Sequence, residues 1–116
     1  MKIRTKRTYD TIDSEDEFRV LADRLWPRGL KKSVVKIDYW AKEISPTTGL
    51  RQAYHNEQIT YEEFSSLYRE ELEQNPLSLP FIERLKGYDT ITLLTSRKPI
   101  ELSELPTLEA FIRKYQ

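Results

Sequence analysis

The segment that most narrows the folds open to this chain is Thr90-Ile91-Thr92-Leu93-Leu94-Thr95. Its β-branched and apolar residues come just after Lys86-Gly87, a pair suited to a left-handed helix stop, so it reads as an interior strand late in the chain. Val20-Leu21-Ala22 reads as a second strand, buried on both faces, within a segment Phe18 to Trp26 that Pro27-Arg28-Gly29 ends. Residues 2–9 alternate β-branched and aromatic residues with charge, the pattern of a half-exposed first strand, and Asp10 to Glu17 reads as a polar turn.

Helical patterns fill most of the remainder. Ser33 is placed to cap a short helix through Ala41, with Val34, Ile37, Trp40 and Ala41 at helical spacing. After Ser45-Pro46, either Thr47 or Thr48 caps a second helix ending near His55. Thr60 and Glu63 form a capping box ahead of an apolar stripe, Tyr61, Phe64, Leu67, Tyr68 and Leu72, that stops before Pro76. Ser78 is placed to cap a short helix facing inward through Phe81, Ile82 and Leu85. A last helix begins near Pro106, where a missing N–H costs nothing, and buries Leu108, Phe111, Ile112 and Tyr115.

The order strand, strand, helices, strand, helix predicts an α/β, single-domain layered fold over residues 1–116, with a small, mainly parallel sheet flanked by helices. In such sheets ligands lie beyond the carboxyl ends of the strands, where strand order reverses. Here those are the segments after Leu25 and after Leu94.

Composition removes several classes of function. The chain has no cysteine, which excludes disulfides, thiolate metal sites and cysteine nucleophiles, and its one histidine, without clustered acids, argues against any metal centre. Three scattered glycines, Gly29, Gly49 and Gly87, cannot make a nucleotide-cradling loop, and no other cofactor motif is present. The charged start lacks a following apolar stretch, and no apolar run approaches the ~20 residues of a membrane span. The expectation is a cytoplasmic protein without a membrane partner. Net charge is zero, which disfavours nucleic acid as a partner, although residues 1–36 carry ten Lys/Arg against six Asp/Glu.

The run Arg19-Val20-Leu21-Ala22-Asp23-Arg24-Leu25-Trp26-Pro27-Arg28-Gly29 resembles the hallmark of the YeaO-like branch of domain-of-unknown-function family 488, a bacterial family. Lys6-Arg7-Thr8-Tyr9-Asp10, Trp40, Lys42, Ser45-Pro46, Leu50-Arg51, His55, Phe64, Tyr68, Glu71-Leu72 and Thr92-Leu93-Leu94 are similar to further parts of it, in order. The resemblance implies little biochemistry. Relatives resemble one another in an Asn-His pair after the late strand, where this chain has Thr95-Ser96-Arg97-Lys98-Pro99-Ile100, so an activity needing that imidazole does not carry over.

Within the hallmark, Asp23, Arg24, Trp26 and Arg28 combine a carboxylate, two planar forks of donors and a stacking face. If Leu25 ends a strand, Arg28 sits on the loop at the sheet's anion-binding edge, and alternation sends Asp23 and Leu25 to one side, Arg24 and Trp26 to the other. Ser45 and Thr47 precede a helix whose free N–H groups suit an anion, and Arg51 lies one turn further on. Ser96 follows the best strand, and Arg97 and Lys98 add charge to the same rim. Lys42 and His55 read as solvated.

These residues support an uncharacterised protein that binds an anionic small molecule such as a nucleotide or a phosphorylated metabolite. The alternatives are an enzyme acting on a nucleotide, nucleoside or nucleic-acid base, with Asp23 as its acid, base or nucleophile, and a protein–protein adaptor using Tyr54, Tyr61 or Tyr68. Oligomeric state is not legible.

Overall fold

In the computed structural model, which describes residues 1–116, one sheet holds four strands: β1 (Lys2–Arg7), β2 (Phe18–Leu21), β3 (Tyr39–Trp40) and β4 (Thr90–Thr95). Their order is β1-β4-β2-β3 and every neighbouring pair is parallel. The helices are α1 (Lys32–Val35), α2 (Thr48–His55), α3 (Tyr61–Gln74), α4 (Ser78–Leu85) and α5 (Leu105–Tyr115). The chain is thus an α/β protein, and its best strand by sequence, β4, is central. None of the helices is long and apolar enough to cross a membrane.

Register decides which residues face the helices. Ile3 and Phe18 both pair with Ile91, and Val20 pairs with Leu93, so these five share one face. Against it pack Phe64, Tyr68 and Leu72 of α3, Phe81, Ile82 and Leu85 of α4, and Leu105, Leu108, Phe111 and Ile112 of α5. The capping box closes α3 in both directions, with Glu63 N–H donating to Thr60 Oγ1 at 3.1 Å and Thr60 N–H to Glu63 Oε1 at 2.9 Å.

The opposite face is built around charge. Arg4 and Arg19 both pair with Thr92, and over them a single 3-10 turn, Ser14–Asp16, brings in a fully buried carboxylate. Asp16 lies 3.2 Å from Arg4 and 3.0 Å from Lys6, and it also accepts from the buried Arg19 guanidinium. Burial alone would raise the Asp16 carboxyl. Hydrogen bonds from Lys6, the Asp13 backbone and Arg19 outweigh it and hold the group below its ordinary value. The sequence presents Asp10 to Glu17 only as a polar turn; in the fold it supplies the counter-ion of a whole sheet face.

Several local expectations give way to tertiary demands. The helix expected from Ser33 to Ala41 is the single turn α1. Lys36 stops it in a left-handed conformation, Ser33 provides no cap, and Val34 is 64% exposed. Tyr39–Trp40 forms β3 instead, because the free edge of β2 needs partners: Asp38 N–H donates to Arg19 O at 2.9 Å and Ala41 N–H to Leu21 O at 2.8 Å. β2 ends at Leu21, not Leu25, which is 57% exposed in the following loop. Ser78 lies inside α4 and donates to Leu72 O at 2.7 Å, while Asn75 Oδ1 accepts from Leu77 N–H. Leu67 and Tyr115 are exposed, at the margins of their stripes.

Candidate functional site

Because β2 and β4 are parallel neighbours, their carboxyl ends open on the same edge of the sheet. Ala22 N–H keeps one last ladder bond, to Leu94 O at 2.9 Å, and then the two chains part. Asp23 bridges the gap. Its carboxylate accepts the Thr95 hydroxyl at 2.9 Å, the Ser96 amide at 2.9 Å and the Ser96 hydroxyl at 2.6 Å. Its carbonyl takes the Trp40 indole N–H at 2.7 Å.

A cavity of about 150 Å³ lies over this bridge, with Asp23, Arg24, Arg51, Arg97, Tyr54 and Glu104 among its walls and His55, Thr95 and Ser96 also lining it. Arg24 is committed to the frame, donating from Nε to Pro46 O at 2.7 Å and from Nη2 to Ser45 O at 2.8 Å, which docks the start of α2 beside the β2 loop. The Arg97 guanidinium lies over the Tyr54 ring, 4.2 Å from its centre, and the Tyr54 hydroxyl donates to Leu102 O at 2.9 Å. That contact holds the charge in place without consuming its hydrogen bonds.

Two buried guanidinium nitrogens on these walls have no partner, Arg51 Nε and Arg97 Nε. Buried polar groups are nearly always satisfied, so two such orphans around one cavity mark a place where a further group is expected. Glu104 is only 6% exposed, and one of its oxygens lies 3.4 Å from the Thr95 hydroxyl. Burial pushes its carboxyl well above the ordinary value, and the neighbouring Asp23 charge and a hydrogen bond between the two carboxyl groups push the same way.

Of the residues singled out by sequence, Asp23, Arg24, Arg51 and Ser96 meet here. Trp26 and Arg28 do not. The Trp26 indole donates to Leu30 O at 2.7 Å and packs edge-on against Trp40, while Arg28 points to solvent and its carbonyl accepts from Tyr9. Because β2 stops four residues short of Leu25, the hallmark turns away from the sheet before reaching them, and Arg24 and Arg28 do not share the cavity. Ser45 is buried and donates its hydroxyl to Ala41 O at 2.8 Å. Thr47 caps α2, accepting Leu50 N–H at 3.3 Å, and it faces Glu71.

Glu104, Tyr54 and His55 complete the walls but were not among the expected binding residues. The one signal for Glu104 is an acid set just before the Leu-Pro start of the last helix. The hydroxyls of Tyr54, Tyr61 and Tyr68 all end on carbonyls of the chain itself, those of Leu102, Ser103 and Ile44.

Fold and site together define an all-parallel α/β protein with an arginine-walled cavity at the carboxyl edge of its sheet. The chain belongs to the DUF488-N3i family, described as the inactive DUF488-N3 subclade, whose model matches residues 2–115. It is 42% identical over 98 residues to the uncharacterised protein YeaO of Escherichia coli, covering 84% of this chain and 85% of YeaO. It is 34% identical over 107 residues to the uncharacterised protein Rv3073c of Mycobacterium tuberculosis, covering 92% of this chain and 90% of that protein. No solved structure is significantly similar to it.

Proposed function

We propose that this protein binds a small anion, or the anionic head of a phosphorylated metabolite or nucleotide, in the cavity over Asp23. The observation that carries the reading is the pair of unpartnered guanidinium nitrogens, Arg51 Nε and Arg97 Nε, on the walls of one cavity. Arginine forks suit phosphate and carboxylate, and partial exclusion of water strengthens each bond. A volume of about 150 Å³ suits a ligand of roughly six heavy atoms. A phosphate head fits, and a nucleotide's base would lie outside.

The family's description as inactive supports binding over turnover, and the absence of the Asn-His pair points the same way. One observation favours a second reading, an enzyme acting on a nucleotide, nucleoside or nucleic-acid base: Asp23 and a protonation-prone Glu104 flank the same hydroxyl, as an acid–base pair would.

The deciding experiment is an NMR titration of labelled protein with phosphate, sugar phosphates and nucleotides, following the arginine Nε–H signals. Saturable shifts at Arg51 and Arg97, lost in Arg97→Ala with affinity falling about tenfold or more, are the expected result. Unchanged affinity in that variant would remove the cavity from consideration. Consumption of a ligand during the titration, abolished by Asp23→Asn, would select the enzyme.

A further inference from the structure

Zero net charge conceals a strong polarity. The segments at the carboxyl ends of the four strands, 7–10, 22–32, 41–43 and 95–99, hold eight Lys/Arg against three Asp/Glu. Those that lead into β2, β3 and β4 at their amino ends, 13–17, 36–38 and 86–89, hold two against six. Because every strand pair is parallel, each set gathers on one edge of the sheet, and the cavity over Asp23 opens on the basic one.

That edge is ordered by cations held over aromatic rings, beginning with Arg97 over Tyr54 in the cavity wall. Arg7 lies over Tyr9, 5.0 Å from the ring centre, and donates from Nη2 to the carbonyl of Ser96 on the cavity rim at 3.0 Å, while its buried Nε has no partner. Tyr9 donates in turn to Arg28 O. Further along, Lys32 lies over Trp26 and Lys42 over Trp40, at 5.4 and 5.2 Å. A cation over a ring is positioned with its N–H donors still free, and none of the protein's ion pairs engages Arg7, Lys32, Lys42 or Arg97.

Resting on the anion-binding reading, we infer that the basic edge binds single-stranded nucleic acid by a terminal phosphate, which enters the cavity walled by Arg51 and Arg97 while the adjoining backbone follows the rim past Arg7 and Arg28. A space of about 150 Å³ admits a phosphate head and no base, so the nucleoside attached to it lies on the rim. There Tyr9, 51% exposed, offers a ring for a base to stack on. A duplex is the poorer fit: α1, the helix within this edge, is a single turn, too short to enter a groove. An acidic peptide would need an apolar seat, and the hollow under the Trp-Pro-Arg-Gly turn, walled by Trp26, Pro27 and Leu30, is filled by the chain itself.

The test is fluorescence anisotropy of single-stranded DNA of about ten nucleotides, carrying a 5′-phosphate, a 3′-phosphate or neither, beside calorimetric titration with inorganic phosphate. One of the phosphorylated strands is expected to bind about tenfold or more tighter than the unphosphorylated strand, with the difference lost in Arg97→Ala. Affinity for the strand should fall about tenfold or more between about 50 and about 200 mM salt. The double variant Arg28→Glu, Lys32→Glu changes two exposed residues, so it should weaken every strand and leave inorganic phosphate binding unchanged. Equal affinity for phosphorylated and unphosphorylated strands overturns the inference, and that comparison needs no variant to fold. Binding of inorganic phosphate at Arg97 with no tighter binding of any strand overturns it and leaves the anion reading standing; failure of phosphate and strands alike overturns both. Tighter binding of a duplex, or equal binding of polyglutamate of the same length, also overturns it. So would salt-sensitive oligomers without nucleic acid, which would assign the basic edge to the acidic edge of a second copy.

Discussion

Glu71, on α3, closes the N-terminus of α2 by taking the Thr47 amide at 3.1 Å and the Thr47 hydroxyl at 2.6 Å. Sequence marks Thr47 as a helix start ready for an anion, and in the fold that anion is the chain's own. The relationship separates two neighbourhoods: the helix start, already satisfied from within, and the cavity, where Arg51 Nε and Arg97 Nε are unspent.

Glu71→Ala should therefore lower stability by about 1–2 kcal/mol, the scale of a lost cap and a lost helix-dipole partner. Urea unfolding measures it. Phosphate affinity at the cavity should stay put; an affinity loss matching that of Arg97→Ala would mean that the helix start belongs to the ligand site after all.

Asp16→Asn should cost about 3–5 kcal/mol, since it leaves Arg19 buried without its counter-charge. The same carboxyl predicts acid sensitivity. Its value in the fold lies below the ordinary 3.8, so its contribution is present above that pH and is lost as pH falls from 3.8 through the folded value. Unfolding curves of Asp16→Asn should accordingly be less acid-dependent than those of the unmodified protein below 3.8. Parallel curves would show that this ion cluster is energetically idle.

Glu104 predicts the opposite slope. Its carboxyl is raised above the ordinary 4.5, so its contribution to stability is full below 4.5 and is lost as pH rises through the folded value. Without ligand, Glu104→Gln should be more stable than the unmodified protein at neutral pH and converge with it below 4.5. Thermal melts across that range check it. A variant destabilised at neutral pH would mean that the ionised carboxylate has a partner in solution.

Arg28→Ala, in the middle of the Trp-Pro-Arg-Gly turn, should leave phosphate affinity within about twofold of the unmodified protein, because Arg28 is solvent-exposed and outside the cavity. Trp26→Phe should loosen the turn by removing the N–H donated to Leu30 O, at a cost of about 1 kcal/mol, also without affecting the ligand. A tenfold affinity loss in either would relocate the site to the hallmark turn.

The strands Lys2–Arg7 and Thr90–Thr95, the Thr60 capping box, the Thr47 cap and the parallel α/β order are legible in sequence because each rests on local chemistry or short-range periodicity. β3 is not legible: Tyr39 and Trp40 become a strand only because β2 lacks a partner on that side. The candidate site divides along the same line. Asp23, Arg24, Arg51 and Ser96 announce themselves by lying at strand ends or a helix start. Glu104 reaches them from near the end of the chain, and its significance lies in the company of Asp23, eighty-one positions earlier in the numbering.

The strand order β1-β4-β2-β3 has a bearing on how the molecule comes into being. β1 and β2 never touch as partners; each pairs with β4, which is completed only at Thr95. On a chain emerging from the ribosome, β1 waits without a partner, and β2 with only the two-residue β3, while some seventy residues are added after β2. Asp23 meanwhile has neither the Thr95 nor the Ser96 hydroxyl to hold. Sheet, core and cavity are thus finished in one late event, and a chain cut short before Thr90 has no smaller version of this protein to fall back on.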